Sequence, residues 1–245
     1  MKKYIILMSL VLLGILFISG CGKIAEVIKG LSDDTAQGYA SEGAAMSQDI
    51  YASIADWAAG GEVSSFNLSE VNVATVVTQE TGGWYHITGT TDSAVIDLHV
   101  KLSLNSLLPS SSKTKTVSLY GTYVYTGSDA TITQTYGDSS NNFTAETTWS
   151  NSNSSLEQIS LDGIIKTYIV GIAGHTTSMQ LTLSSLYLSL TAAENYPSGT
   201  IVINTSYDGT VQPAITLIFN GTSTVIFQYD TTTRTFSIRG ISLTV

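Results

Sequence analysis

From Glu62 to Val245 the chain alternates β-branched or aromatic residues with polar ones, the two-residue period of strands with one buried and one wet face. Val95 to Leu104 carries it most cleanly. Ile96, Leu98, Val100, Leu102 and Leu104 share one side, and Val95, Asp97, His99, Lys101 and Ser103 share the other. Val117 to Tyr125, Phe143 to Trp149 and Ile201 to Tyr207 repeat the pattern. Met179, Leu181 and Leu183 hold one parity and Leu186, Leu188 and Leu190 the other, so a β-bulge or bend is expected at Ser184-Ser185. A similar slip falls at Gly240.

Turn chemistry points to consecutive antiparallel pairing. Asp208-Gly209 and Asn220-Gly221 suit type I′ hairpins, whose central residues need positive φ. With Pro197-Ser198-Gly199 and Asp230-Thr231-Thr232 they make 199–245 a four-stranded meander. Gly82-Gly83, Gly127-Ser128, Asp138 to Asn142 and Asp162-Gly163 mark further turns, and Ser106 to Lys115 and Asn151 to Ser155 read as polar loops. No βαβ alternation or fixed repeat appears. The expected fold is mainly β: a single antiparallel meander of about a dozen strands, strongly curved or barrel-like, with a two-layer sandwich as the alternative.

Residues 22–61 follow a different rule. Ile24, Val27, Ile28 and Leu31 recur at helical steps. Ser32 then suits an N-cap, with Asp33 and Asp34 in the first turn. Ala36, Ala40, Gly43, Ser47, Ile50, Ile54 and Trp57 form one stripe that stops at Gly60-Gly61. A helix over 32–59 packed on the apolar side of the sheet is expected.

The first twenty-two residues carry an address. Lys2 and Lys3 precede an uncharged apolar run from Tyr4 to Phe17, and Ile18-Ser19-Gly20 leads to Cys21, the only cysteine. This is the order of a secretory signal peptide. Ile18-Ser19-Gly20-Cys21 resembles the lipobox of bacterial lipoproteins. The resemblance implies cleavage between Gly20 and Cys21, a diacylglyceryl group with further acylation such as palmitate on Cys21, and a lipid-anchored protein of the bacterial cell envelope. By the same resemblance, Gly22 rather than Asp after the cysteine favours sorting to the outer membrane in a two-membrane organism. The bland alternative is a transmembrane anchor over residues 4–20, at the lower limit of about 17 residues for a bilayer span and weakened by Gly14, Ser19 and Gly20. The expected organisation is a signal peptide (1–20), a lipidated helical segment (21–61) and a β domain (62–245).

Composition narrows the partners. The formal net charge is −9, and it becomes more negative once Lys2 and Lys3 leave with the leader. Only 12% of residues are charged. Such a surface lacks the basic footprint of nucleic-acid binding, and anionic headgroups would repel it. With Cys21 lipidated no disulfide is available, so the fold rests on its apolar core.

Candidate chemistry is sparse. His86, His99 and His175 sit in no metal-ligand spacing, and neither a metal nor a cofactor is expected. Asp97, His99 and Lys101 share a strand face, where an acid could orient an imidazole, although a solvated face is the commoner meaning. Glu146 and Glu157 fall on neighbouring strands near Trp149, the raw material of a carboxylate pair, but exposed carboxylates that limit edge aggregation are far commoner. Neither a GxSxG elbow nor an SxxK opens a helix, and no glycine-rich phosphate loop appears. Tyr120, Tyr123, Tyr125, Tyr136 and Trp149 are candidate ligand-contact aromatics, since a sheet surface can use flat rings to stack sugars or grip a peptide. Cross-strand packing employs the same residues.

The functional expectation is a non-enzymatic envelope lipoprotein whose β domain binds a glycan, protein or lipid, or serves as surface structure. A carrier of a hydrophobic ligand between sheet and helix is the first alternative, and an unrecognised hydrolase the second.

Overall fold

The computed structural model describes residues 74–105, 113–150, 156–171, 173–190 and 195–237. They form one antiparallel sheet of thirteen strands. In chain order these are β1 (Ala74–Gln79), β2 (Trp84–Thr90), β3 (Ala94–Asn105), β4 (Lys113–Thr126), β5 (Ala130–Tyr136), β6 (Phe143–Trp149) and β7 (Leu156–Gly171). There follow β8 (Thr176–Ser189), β9 (Ser198–Tyr207), the two-residue β10 (Thr210–Val211), β11 (Ile215–Asn220), β12 (Thr224–Tyr229) and β13 (Thr232–Ser237). The mainly β meander expected from the alternation is therefore present. The closed-barrel form is not: among the described residues β1 and β13 end the strand order and do not pair with each other. Nor are there two separate sandwich sheets. Among the described residues a 3-10 turn over Thr81–Gly83 is the one helical element. The helix expected over 32–59, the slip at Gly240 and the loop 151–155 lie outside the described residues.

Two expected turns prove to be something else. The first half of β4 (113–119) pairs with β6, and its second half (121–126) pairs with β5. β7 does the same from the other side, its start against β6 and its end against β5. β5 and β6 are thus two halves of one strand lying between β4 and β7. Gly137 stays in line, its N–H donating to the Ile164 carbonyl at 2.8 Å, and residues 138–142 loop out before Phe143 resumes the pairing. Asp138 organises the excursion: its carboxylate accepts from the N–H groups of Ser140 and Asn141, both at 2.8 Å. Those bonds hold its carboxyl below the ordinary carboxylate range. Asp162-Gly163 lies inside β7, at a register shift. Gly163 takes φ +122°, and a Cβ there would sit 2.7 Å from Phe143 Cα, so the close approach of β6 requires glycine.

The bulge expected at Ser184-Ser185 is present. Ser185 adopts φ +48°, the β8–β9 register shifts there, and Leu183 and Leu186 are both buried despite their opposite parities. Of the two I′ candidates, Asp208-Gly209 has positive φ at both residues. Asn220-Gly221 has it at Gly221 alone, because the Asn220 side chain accepts from the Thr222 N–H (3.2 Å) and hydroxyl (2.6 Å) and builds a wider turn. Lys113 to Lys115, expected in a loop, begin β4.

One face of the sheet is buried on itself. Ile87, Leu98, Leu119, Ile159, Leu161, Ile165, Leu186, Leu188 and Phe227 are nearly inaccessible and belong to a single cluster that runs from β2 to β12. A sheet this wide must curl to bury its own apolar face, and Gly121, Gly163 and Ser185 take positive φ within its long strands. The opposite, solvent-facing side of β2, β3 and β4 carries the candidate site.

Candidate functional site on the outer face of strands 2 to 4

The site follows from one hairpin register. β2 and β3 meet at Asp92-Ser93. The Thr91 hydroxyl oxygen accepts from the N–H groups of Ser93 (3.3 Å) and Ala94 (2.8 Å), and the Thr91 N–H donates to the Ala94 carbonyl at 2.8 Å. Counting back from this turn sets Trp84 opposite Lys101, His86 opposite His99 and Thr88 opposite Asp97. The β3–β4 register then places Tyr120 opposite His99. Since Ile87, Leu98, Val100 and Leu119 point inward, the intervening side chains all point outward.

The result is a ladder of flat rings. His86 stacks on His99 with centroids 4.1 Å apart and planes 4° from parallel. His99 stacks on Tyr120 at 4.3 Å and 5°. Trp84 meets Tyr120 edge-on at 5.0 Å, and the Lys101 ammonium lies 5.9 Å above the Trp84 ring. Gly121 makes room beside Tyr120: at φ +123° a Cβ would collide with the Asp97 carbonyl oxygen and come within 2.9 Å of Leu98 Cα. Tyr120 lies level with the break between β5 and β6, which pair with Gly121 and Leu119 on either side of it.

Two carboxylates flank the imidazoles. His86 Nε2 is 2.7 Å from Asp97 Oδ1. His99 Nδ1 is 2.9 Å from Glu80 Oε2, and His86 Nδ1 is 3.8 Å from Glu80 Oε1. Glu80 closes the β1–β2 hairpin, its N–H donating to the Trp84 carbonyl at 2.8 Å. Burial, and then the negative charges of Glu80 and Asp97, push the Tyr120 hydroxyl above its ordinary pKa. In place of the Asp97–His99 contact that their shared strand face would allow, the structure has two cross-strand pairings, Asp97 with His86 and Glu80 with His99.

The five candidate aromatics do not assemble into one surface. Tyr123, Tyr136 and Trp149 are buried in the core. The Tyr136 hydroxyl donates to Gln134 Oε1 at 3.0 Å, and Trp149 Nε1 donates to Thr147 Oγ1 at 3.3 Å. Tyr125 is 39% exposed, and Tyr120 alone joins the ladder. Strand parity separates Tyr120 from Tyr123: Tyr123 shares the inward side with Val117 and Leu119, whereas Tyr120 alternates outward. Glu146 stands opposite Ser160 and bonds to Thr116 at 3.3 Å, three positions out of step with Glu157, so the carboxylate pair is not formed. His175 lies elsewhere, against Asp208 (2.8 Å) and Tyr207. Cys21 and Gly20 are outside the described residues. Ile159, Leu161, Leu186 and Leu188 are fully buried.

Trp84 and Glu80 are not singled out by the sequence, and His86 is set aside there, because a separation of thirteen residues between two histidines matches no local motif. The turn at Thr91-Asp92-Ser93 was the usable signal, since it fixes which residues oppose one another. Comparison with protein-family models, curated proteins and solved structures finds no match to this chain. Its class is therefore defined by fold alone: a single curled antiparallel sheet with a polar–aromatic outer face. Among the described residues no helix is long and apolar enough to cross a membrane.

Proposed function

We propose that the protein is a membrane-tethered bacterial envelope lipoprotein whose β domain is a non-enzymatic binding module acting through the outer face of β2, β3 and β4. The tether is supported by the Ile18-Ser19-Gly20-Cys21 order behind an uncharged apolar run. Two acyl chains provide the stable attachment that one does not. The binding role is supported by a single observation. Where the wet side of an antiparallel sheet is ordinarily small and polar, this one presents Trp84, His86, His99 and Tyr120 in continuous ring contact. Half-buried flat rings offer contact area at low conformational cost.

Two measurements test the reading. Cys21→Ser should shift the protein from membrane to soluble fractions and abolish incorporation of labelled palmitate; retention in membranes would restore the transmembrane alternative. Native mass spectrometry of the purified chain should show a non-covalent adduct that the Trp84→Ala, Tyr120→Ala double variant lacks. Identical ligand-free spectra would refute the binding role.

A further inference from the structure

Glu80, His86 and His99 each offer one ligand atom, and the three atoms lie within 4.8 Å of one another. We propose that the Glu80 carboxylate, His86 Nδ1 and His99 Nδ1 form a binding site for a divalent ion of the zinc class, with Asp97 as the residue that orients His86. This deepens the outer-face reading above, and rests on it.

The donor set argues for that class of ion. Two imidazoles and one carboxylate suit zinc and its first-row neighbours, whereas magnesium and calcium take oxygen ligands. Three protein ligands leave further positions for water. The side chains of His86, His99 and Glu80 are 31%, 19% and 35% exposed, so an ion can enter from solvent. Glu80 and Asp97 supply the negative charge that such an ion neutralises, and Lys101 is turned aside toward Trp84.

The arrangement around the ligands has the features of a metal site. Both Nδ1 atoms face the same carboxylate, at 3.8 and 2.9 Å. His86 Nε2 lies 2.7 Å from Asp97 Oδ1, the contact through which a second-layer carboxylate holds the proton on the far nitrogen and leaves the near lone pair for the ion. Because His86 and His99 are direct cross-strand partners, the sheet brings their backbones together before any ion arrives.

Binding has a geometric requirement. Zinc–nitrogen bonds of about 2.0–2.1 Å demand that each lone pair point at the ion. Rings stacked within 4° of parallel cannot both do so. Coordination therefore tilts the imidazoles about χ2 and exchanges the ring stack for two metal bonds. The proton in the His99 Nδ1–Glu80 hydrogen bond moves to His99 Nε2, or to solvent where the ring is doubly protonated, so acid weakens binding.

The test uses the full chain purified in detergent and stripped with a chelator, titrated calorimetrically with zinc chloride. One ion should bind per chain. His86→Phe and His99→Phe keep a ring in the ladder while deleting a donor, and each should weaken zinc binding at least tenfold. Asp97→Asn should weaken it roughly 10–100-fold. His175→Ala should leave it unchanged, and magnesium or calcium chloride at equal concentration should give no heat. No zinc binding, zinc binding by either Phe variant as tight as by the unaltered chain, or equal loss in His175→Ala overturns the site. An unaffected Asp97→Asn overturns the orienting role. None of these outcomes touches the Cys21→Ser fractionation or the Trp84/Tyr120 adduct, so the two readings fail separately.

Discussion

His86 and His99 face each other across β2 and β3 with ring centroids 4.1 Å apart and planes 4° from parallel. Each imidazole has its own carboxylate: Asp97 for His86, and Glu80 for His99. The pair joins the hairpin turn at Thr91, which sets its register, to Tyr120 on β4, where the ring ladder continues. A surface of this kind stabilises the sheet locally while leaving nitrogen and oxygen atoms open to solvent.

His99 touches both neighbouring rings, so its removal should register as stability as well as binding. In chelator, His99→Ala is expected to lower the unfolding free energy by about 0.5–1.5 kcal/mol, the range for aromatic ring pairs. His99→Phe should restore most of that loss. Urea denaturation followed by circular dichroism measures both, and equal midpoints for Ala and Phe would show that the stack contributes nothing.

Thr167 is 2% exposed, and its hydroxyl has no hydrogen-bonding partner among the described residues. Burying an unpaired hydroxyl is unfavourable, and valine has nearly the same shape. Thr167→Val should therefore stabilise the protein by about 1 kcal/mol. A lowered urea midpoint would indicate that the hydroxyl is paired in solution.

Tyr136 titrates far above the ordinary 10.0 of tyrosine, first because it is buried and second because Tyr123 lies close. The folded chain thus keeps this proton at pH values where the unfolded chain releases it. The associated stability is complete below the unfolded value of 10.0 and is lost as pH rises from there toward the folded value. Stability should fall above about pH 10, and Tyr136→Phe should flatten that fall while costing about 1 kcal/mol near neutrality through the lost bond to Gln134. Parallel alkaline profiles for the two proteins would place the transition elsewhere.

The excursion at 138–142 interrupts a strand whose two halves are already in register with β4 and β7. Deleting 138–142 should join Gly137 to Phe143 as one continuous strand. Cooperative unfolding should persist with a stability change within about 1 kcal/mol, as expected for loop shortening. A chain that no longer folds cooperatively would show that the excursion packs as part of the core.

Much of this molecule was legible along the chain. Strand positions, the inward residues of β3, β6 and β9, the bulge at Ser184-Ser185 and the Asp208-Gly209 turn all follow from the two-residue period and from the positive φ that particular turns demand. These are local properties, decided within a few residues. Asp138 to Asn142 and Asp162-Gly163 looked like turns because their composition is that of turns; pairing with β4, β6 and β8 made the first a side loop and the second a bulge.

Alternation by itself determined which residues share a side, and so which go inward with Leu98 and Leu119. Tertiary structure alone decided who meets whom. Glu80, His86, Asp97 and His99 converge because two hairpin registers bring them together, and a shift of one residue between β2 and β3 would send the imidazoles to opposite faces. Register arises from turn geometry summed with the burial of a whole apolar face, a quantity spread over every strand of the sheet.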